Sequence, residues 1–197
     1  MARVLIIYGT AYGQTERIAR RILGELERQG HLVSIFKGDE LPADLWLGKY
    51  QAFVVAASVI RNQHQRYIRD FVRHHAVQLN RVPTAFVSVC GAAKASPEQA
   101  GAYGDTFLRE TGLRPAFIQS FAGALAYTRY GFFLRWITKL VSWRRGGPTD
   151  TSRDHDMTDW EAVDRFAKDL AEALPPSPEG DRVENLLLQI GPPNCVS

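Results

Sequence analysis

Cysteine is scarce in this chain of 197 residues: Cys90 and Cys195 are its two, far apart and without any CxxC or Cys/His spacing. A disulfide framework and a zinc site are thereby disfavoured. No apolar run approaches the roughly 20 residues that a membrane span needs. The opening MARVLIIYGT lacks a basic stretch followed by a long apolar run and a small-residue cleavage site. It reads as the mature N-terminus of a cytosolic protein. No Ser/His/Asp set stands in nucleophile-elbow context, which disfavours a hydrolase, and there is no internal repeat. Acidic residues are missing from one stretch altogether. From Thr111 to Thr149 there are six basic residues, Arg114, Arg129, Arg135, Lys139, Arg144 and Arg145, and no Asp or Glu.

That gap decides how the charge is read. The formal net charge is +3, so the rest of the chain carries net −3, and the sequence pI of about 9.0 comes from one segment. A local basic surface follows, rather than general affinity for nucleic acid, and no nucleic-acid partner is expected. At 45% hydrophobic and 23% charged, a chain of this length has the material for one globular domain with a real core.

Short β-branched runs alternate with longer segments of helical period. The strands expected are Arg3 to Tyr8, His31 to Phe36, Ala52 to Ala57, Thr84 to Val89 and Ala116 to Phe121. The helices expected between and after them are Gln14 to Gln29, Gln65 to Leu79, Pro97 to Thr111 and Asp159 to Ala173. Ser96 with Gln99 and Thr158 with Glu161 read as capping boxes, and Gly30 and Gly112 as helix ends. Leu41 to Tyr50 is short, with one helical turn or two. Strands separated by helices make βαβ units, and hence a parallel α/β sheet covered on both faces.

Where the first strand hands over to the first helix stands Tyr8-Gly-Thr-Ala-Tyr-Gly-Gln-Thr15. Unpaired N–H groups at a helix start favour an anion, Thr10 and Thr15 add hydroxyl donors, and Gly13 permits close backbone approach. The loop lacks the Gly-Lys-Ser/Thr ending of a triphosphate loop and is not GxGxxG, so a monophosphate fits best. The alternative is a Gly/Thr-rich turn with simple capping. Thr10-x-x-Gly13-x-Thr15 after strand one, in this α/β pattern, resembles the flavodoxin fold, whose first loop wraps the phosphate of FMN. The resemblance implies a five-stranded parallel sheet of order 2-1-3-4-5. It also implies cofactor contacts from Thr10, Ala11, Tyr12, Gly13, Gln14 and Thr15, and from two ring-binding loops, Ala57 to Asn62 and Ser88 to Lys94. The ring contacts expected are Ala57, Ser58, Val59, Ile60, Ser88, Val89, Cys90, Gly91 and Ala92, small or aliphatic residues that let backbone amides reach a flat ring. Tight packing loops are the alternative for both.

A closer resemblance covers about Val4 to Leu170. It is carried by Ala57-Ser58-Val59-Ile60-Arg61 with His64, Phe71-Val72-x-x-His75, Ala122-Gly123-Ala124-Leu125-x-Tyr127-x-Arg129-Tyr130, Gly146-Gly147-x-Thr149-Asp150-Thr151 and Thr158-Asp159-Trp160. In their order and spacing these pieces are similar to the flavodoxin-like, menaquinone-dependent protoporphyrinogen IX dehydrogenases. That family implies FMN, oxidation of protoporphyrinogen IX to protoporphyrin IX, and electron transfer to a membrane quinone. The flavin carries the chemistry, so no catalytic side chain and no metal is expected. Ordinary flavodoxins flank the ring with aromatics, and neither Ile60-Arg61-Asn62 nor Gly91-Ala92-Ala93 supplies one. A ring face is then left open to substrate, or the flavin is held less tightly. Cys90 reads as a small packed hydrophobe rather than a redox thiol, and the acidic residues around His155 as a solvated turn rather than a metal site.

The basic segment, about 127–150, follows strand five as an insert. On a helical wheel Phe132, Phe133, Trp136, Ile137, Leu140, Val141 and Trp143 share one half, with Arg135 and Lys139 on the other. Such an amphipathic helix suits the inner face of an anionic cell membrane, or a slot for a planar tetrapyrrole whose propionates pair with basic side chains; an ordinary helix docked on the sheet is the alternative. Arg61, Tyr127, Arg129, Arg135 and Lys139 are the substrate contacts expected. Residues 1–174 form the domain in this reading, and 175–197 a disordered tail. Two other readings compete: an electron carrier or general quinone reductase, and a non-catalytic membrane- or partner-binding module of the same fold.

Overall fold

The computed structural model describes residues 1–125 and 155–174. The elements, in chain order, are β1 (Arg3–Gly9), α1 (Gln14–Arg28), β2 (Leu32–Lys37), a single 3₁₀ turn (Leu47–Lys49), β3 (Ala52–Ile60), β4 (Gln63–His64) and α2 (Arg66–Leu79). They continue with β5 (Thr84–Cys90), α3 (Ala92–Ala95), α4 (Pro97–Thr111), β6 (Phe117–Ala122), β7 (Ala124–Leu125), β8 (His155–Asp156) and α5 (Trp160–Ala173). The parallel strands run in the order β2-β1-β3-β5-β6, with β4 antiparallel on β3. Numbered among themselves these five strands are 2-1-3-4-5, the order expected.

Burial follows strand position. β5 is buried at every residue and β1 at all but its first, whereas the edge strands β2 and β6 stay partly exposed. Central strands covered by helices on both faces read as unbroken apolar runs for this reason. Val4, Ile6, Val54, Ala85 and Val87 face α1 and α5, while Leu5, Ile7, Phe53, Val55 and Phe86 face α2 and α4. Ile18, Ile22 and Leu26 form the inner stripe of α1 and are fully buried, each contributing about 1.5–3 kcal/mol. On the other face Phe86 and Phe107 stack with ring centroids 4.3 Å apart. Gly9 ends β1 because a Cβ there would lie 2.5 Å from Ile68 Cγ1, so only glycine lets α2 pack against this strand end.

The sequence expectations differ from the structure at several ends. β3 continues to Ile60 and turns back through Arg61 and Asn62 into β4, so the expected loop Ala57 to Asn62 is a strand end and a hairpin. Ser88, Val89 and Cys90 belong to β5, and α3 follows at once. Neither capping box forms. Gln99 donates forward to the Tyr103 hydroxyl at 2.9 Å, and Ser96 makes no side-chain cap. Thr158 donates its hydroxyl to the Ala122 carbonyl at 2.8 Å, so Asp159 caps α5 by accepting from Ala162 N at 2.9 Å. The insert and the tail lie outside the described residues.

Candidate functional site: a cleft at the carboxyl ends of the strands

The loop after β1, the ends of β3 and β5, and the start of β7 surround one cleft beside the point where the strand order reverses, the usual place for a ligand in an open α/β sheet. Thr10, Ala11, Tyr12, Gln14 and Thr15 form one end of it, and Ser58, Val59, Ile60, Val89, Cys90 and Gly91 the other. The larger hollow, of about 640 Å³, lies between α1 and α5. Its Arg20, Arg21 and Arg28 are engaged by Glu16, Asp164 and Glu25, and Arg165 reaches Glu161 at 3.8 Å, so most of its basic side chains are already paired.

The first end is built for an anion. α1 starts after Gly13 in the left-handed region (φ 91°), and no side chain among the described residues caps it; the N–H groups of its first turn have no helical partners. Thr15 Oγ1 is buried with no hydrogen-bond partner among the described residues. Thr10 Oγ1 accepts from Gly13 N at 2.9 Å, which leaves its own proton to donate. The Gly13 N–H is thus engaged, and this residue shapes the turn rather than lining the cleft. The Gln14 side chain is engaged too: Nε2 donates to Asp156 Oδ1 at 2.9 Å and Thr158 Oγ1 at 2.7 Å, and Oε1 accepts from Arg17 at 2.9 Å. What Gln14 offers an anion is its backbone N–H. A phosphate therefore fits here on the donor set alone.

The second end is apolar and close-walled. Its hairpin turn places Arg61 and Asn62 at φ 49° and 65°, both left-handed as a type I′ turn requires. Tyr103 donates to Asn62 Oδ1 at 2.7 Å and so ties the turn to α4. Behind the wall His64 Nε2 lies 2.9 Å from Ser88 Oγ, its ring edge-on to Phe86 and Phe107. Burial, then the charge of Arg69, push the imidazole down to about 4, against a pull upward from Glu110. At neutral pH it is an uncharged strut. Ser58 Oγ accepts from Gln65 Nε2. Burial also pushes the Cys90 thiol up, which fits a packed wall residue rather than a thiolate.

The family description "Flavodoxin domain" matches residues 5–152. The chain belongs to the flavodoxin family. Among solved structures it is similar in fold to oxidised flavodoxin 1 from Bacillus cereus, with a TM-score of 0.57 at 15% identity, covering 88% of this chain and 99% of that one. A Streptococcus pneumoniae flavodoxin superposes with a TM-score of 0.56 at 17% identity, over 88% of this chain and all of that one. Two curated relatives carry the name protoporphyrinogen IX dehydrogenase (quinone). The Escherichia coli K12 protein is 34% identical over 86% of this chain and 94% of its own length, and the Leishmania major protein 31% identical over 92% and 81%. The resemblances carried by the sequence motifs are thus borne out, and the cofactor of the flavodoxin family is FMN, as expected.

Some expected flavodoxin contacts do not line the cleft. Ala57 and Ser88 are fully buried behind it, and Ala92 packs with Cys90 and Ala100. Gly123 and Ala124 do line it and were not expected, although they stand in the Ala122 to Leu125 run. Arg61 is exposed at the hairpin tip. Tyr127, Arg129, Arg135 and Lys139 lie outside the described residues. Asp156, taken with its neighbours as a solvated turn, is exposed, and its carboxylate also accepts from Gln14, Arg17, Thr158 and Trp160. Burial raises its pKa, but the hydrogen bonds from Thr158 and Gln14 and the charge of Arg17 prevail and leave it lowered. Among the described residues no helix is long and apolar enough to cross a membrane.

Proposed function

We propose that this protein holds FMN in the cleft and oxidises protoporphyrinogen IX to protoporphyrin IX, the six electrons and six protons passing two at a time to three membrane quinones, each of which becomes quinol. The observation that carries the reading is the similarity, over most of the chain, to two proteins of that name from distant organisms, joined to a cleft whose donor set suits a flavin phosphate. The backbone N–H groups of Gln14 and Thr15 and the hydroxyls of Thr10 and Thr15 hold the phosphate. Ser58, Val59, Ile60, Val89, Cys90 and Gly91 wall the ring. When bound, FMN supplies a two-electron acceptor at its N5.

The chain's own part is to position and to leave room. The described residues that line the ring end include no aromatic, which leaves room for a flat substrate, bordered by half-buried Tyr12 and by Ile60, which is 39% exposed. Arg61, held at the hairpin tip, pairs with a propionate carboxylate. Tyr127, Arg129, Arg135 and Lys139, assigned from the sequence, complete the substrate side of residues 1–174, and the cationic face of the insert rests on the anionic inner face of the cell membrane. Anaerobic mixing of FMN-loaded protein with protoporphyrinogen IX bleaches the flavin absorbance, and added quinone restores it. No bleaching overturns the substrate assignment while leaving the fold standing. Deletion of residues 130–145 abolishes sedimentation with phosphatidylglycerol vesicles and spares FMN binding; vesicle binding that survives the deletion overturns the membrane assignment.

A further inference from the structure

Asp156 stands 142 positions from Gln14 in sequence, yet its carboxylate meets the first turn of α1. Oδ1 accepts from Gln14 Nε2 at 2.9 Å and from Thr158 N at 3.0 Å, while Oδ2 accepts from Arg17 Nη1 at 2.9 Å and from Trp160 Nε1 at 3.2 Å. Arg17 also lies over the Trp160 ring, 5.1 Å from its centroid. The backbone of Asp156 is held in turn by pairing with Ala124 in the short antiparallel ladder of β7 and β8. Thr158, which takes the second hydrogen of Gln14, is tied to the Ala122 carbonyl at the end of β6. One carboxylate thus joins the start of α1, the β7–β8 ladder and the start of α5.

The network is unusual in what it avoids. A carboxylate beside an uncapped helix start could cap the backbone N–H groups directly. Asp156 takes the Gln14 side chain instead, and no side chain among the described residues caps α1. Gln14 is 7% exposed, with both amide atoms engaged, so the orientation of the first turn is set from the side while no side chain among the described residues caps its N–H groups. Arg17 neutralises the carboxylate that would otherwise repel an anion nearby.

We propose that Asp156 is a positioning residue for the cofactor's phosphate: it never touches the phosphate, but through Gln14 it holds the first turn of α1 in register with Thr10 and Thr15. The inference rests on the FMN reading above, and the two fail separately. Full-length wild-type protein, Asp156→Ala, Gln14→Met and the double variant are titrated with FMN and with riboflavin, which lacks the phosphate, and the affinity ratio is taken for each. A hydrogen-bonded link of this kind lowers the FMN-to-riboflavin ratio about tenfold in either single variant, and the double variant falls no further, because both changes break one link. A general loss of stability lowers both affinities together and leaves the ratio where it was. An unchanged ratio, a ratio that rises because a negative charge has gone, or effects that add in the double variant overturn the proposal. Wild-type protein that binds neither ligand overturns the FMN reading instead. Where Asp156→Ala does not fold, Gln14→Met alone decides: a lowered ratio upholds the link and an unchanged one removes it.

Discussion

The two ends of the cleft are held by different physics. At the end formed by the start of α1, the described residues supply polar groups: a helix start with no side-chain cap, two hydroxyls, and a carboxylate that holds Gln14 from the side. At the ring end the wall is apolar, and His64 behind it is kept neutral by burial. The contrast is sharpest between two helices on the same face of the sheet. Asp159 caps α5 by accepting from Ala162 N, while α1 begins on Gly13 with no cap. The same sheet face therefore carries one helix start completed from within the chain and another left open toward a cleft. Satisfying those N–H groups internally would stabilise the apo-protein and remove the anion site.

Placing a charge at the open helix start is the strongest test. Ala11→Asp brings a carboxylate to the cleft just before α1 and leaves the left-handed Gly13 in place, and two negative charges about 4 Å apart near a protein surface repel by about 4 kcal/mol. FMN affinity falls about a thousandfold and riboflavin affinity changes little, as read by flavin fluorescence titration. Equal losses for both ligands would mean that the phosphate does not sit at this helix start.

The ring end is tested through proton linkage. His64 has a folded pKa of about 4 against an ordinary 6.5, so between these values the unfolded chain takes a proton that the folded one refuses. Stability is fully present above about pH 6.5, declines as pH falls through that window, and levels off below about 4, a loss on the order of 3 kcal/mol. Urea unfolding of wild type and His64→Gln across that range checks it, since the variant keeps a partner for Ser88 and its profile is flatter by that amount. Matching profiles would show that His64 is not held neutral.

Smaller effects separate the hydroxyl from the cap. Thr15→Val removes a buried donor with no partner in the described chain, and a hydrogen bond to a charged group contributes about 2 kcal/mol, so FMN affinity falls about thirtyfold with riboflavin spared. Asp159→Ala costs about 1 kcal/mol of stability through the lost cap and leaves the affinity ratio for FMN and riboflavin alone. A change in that ratio would erase the distinction between the two helix starts.

Much of the frame was legible residue by residue. The apolar runs of β1, β3 and β5, the Ile18, Ile22 and Leu26 stripe, and Pro97 and Gly112 at the ends of α4 are local signals, and the elements fall within a residue or so of where they point, except at the far end of β3. The hairpin into β4 was not legible, because Arg61 carries no signal for a left-handed backbone and Asn62 only a weak one. The cap of α5 moved by one residue because Thr158 found a better partner in the Ala122 carbonyl, a group 36 positions away.

By itself the sequence determined the alternation of strand and helix, a parallel sheet built from right-handed crossovers, the Gly/Thr loop suited to a phosphate, and a basic segment set apart from a net-acidic remainder. These are properties of neighbouring residues and of chain handedness. Only the tertiary structure decided that Asp156 would hold Gln14, that His64 would stand neutral against Ser88, and that Tyr103 would pin the hairpin at Asn62. Each of these joins residues far apart in the chain, and a hydrogen bond between distant residues exists only once sheet register and helix packing have brought donor and acceptor to within about 3 Å.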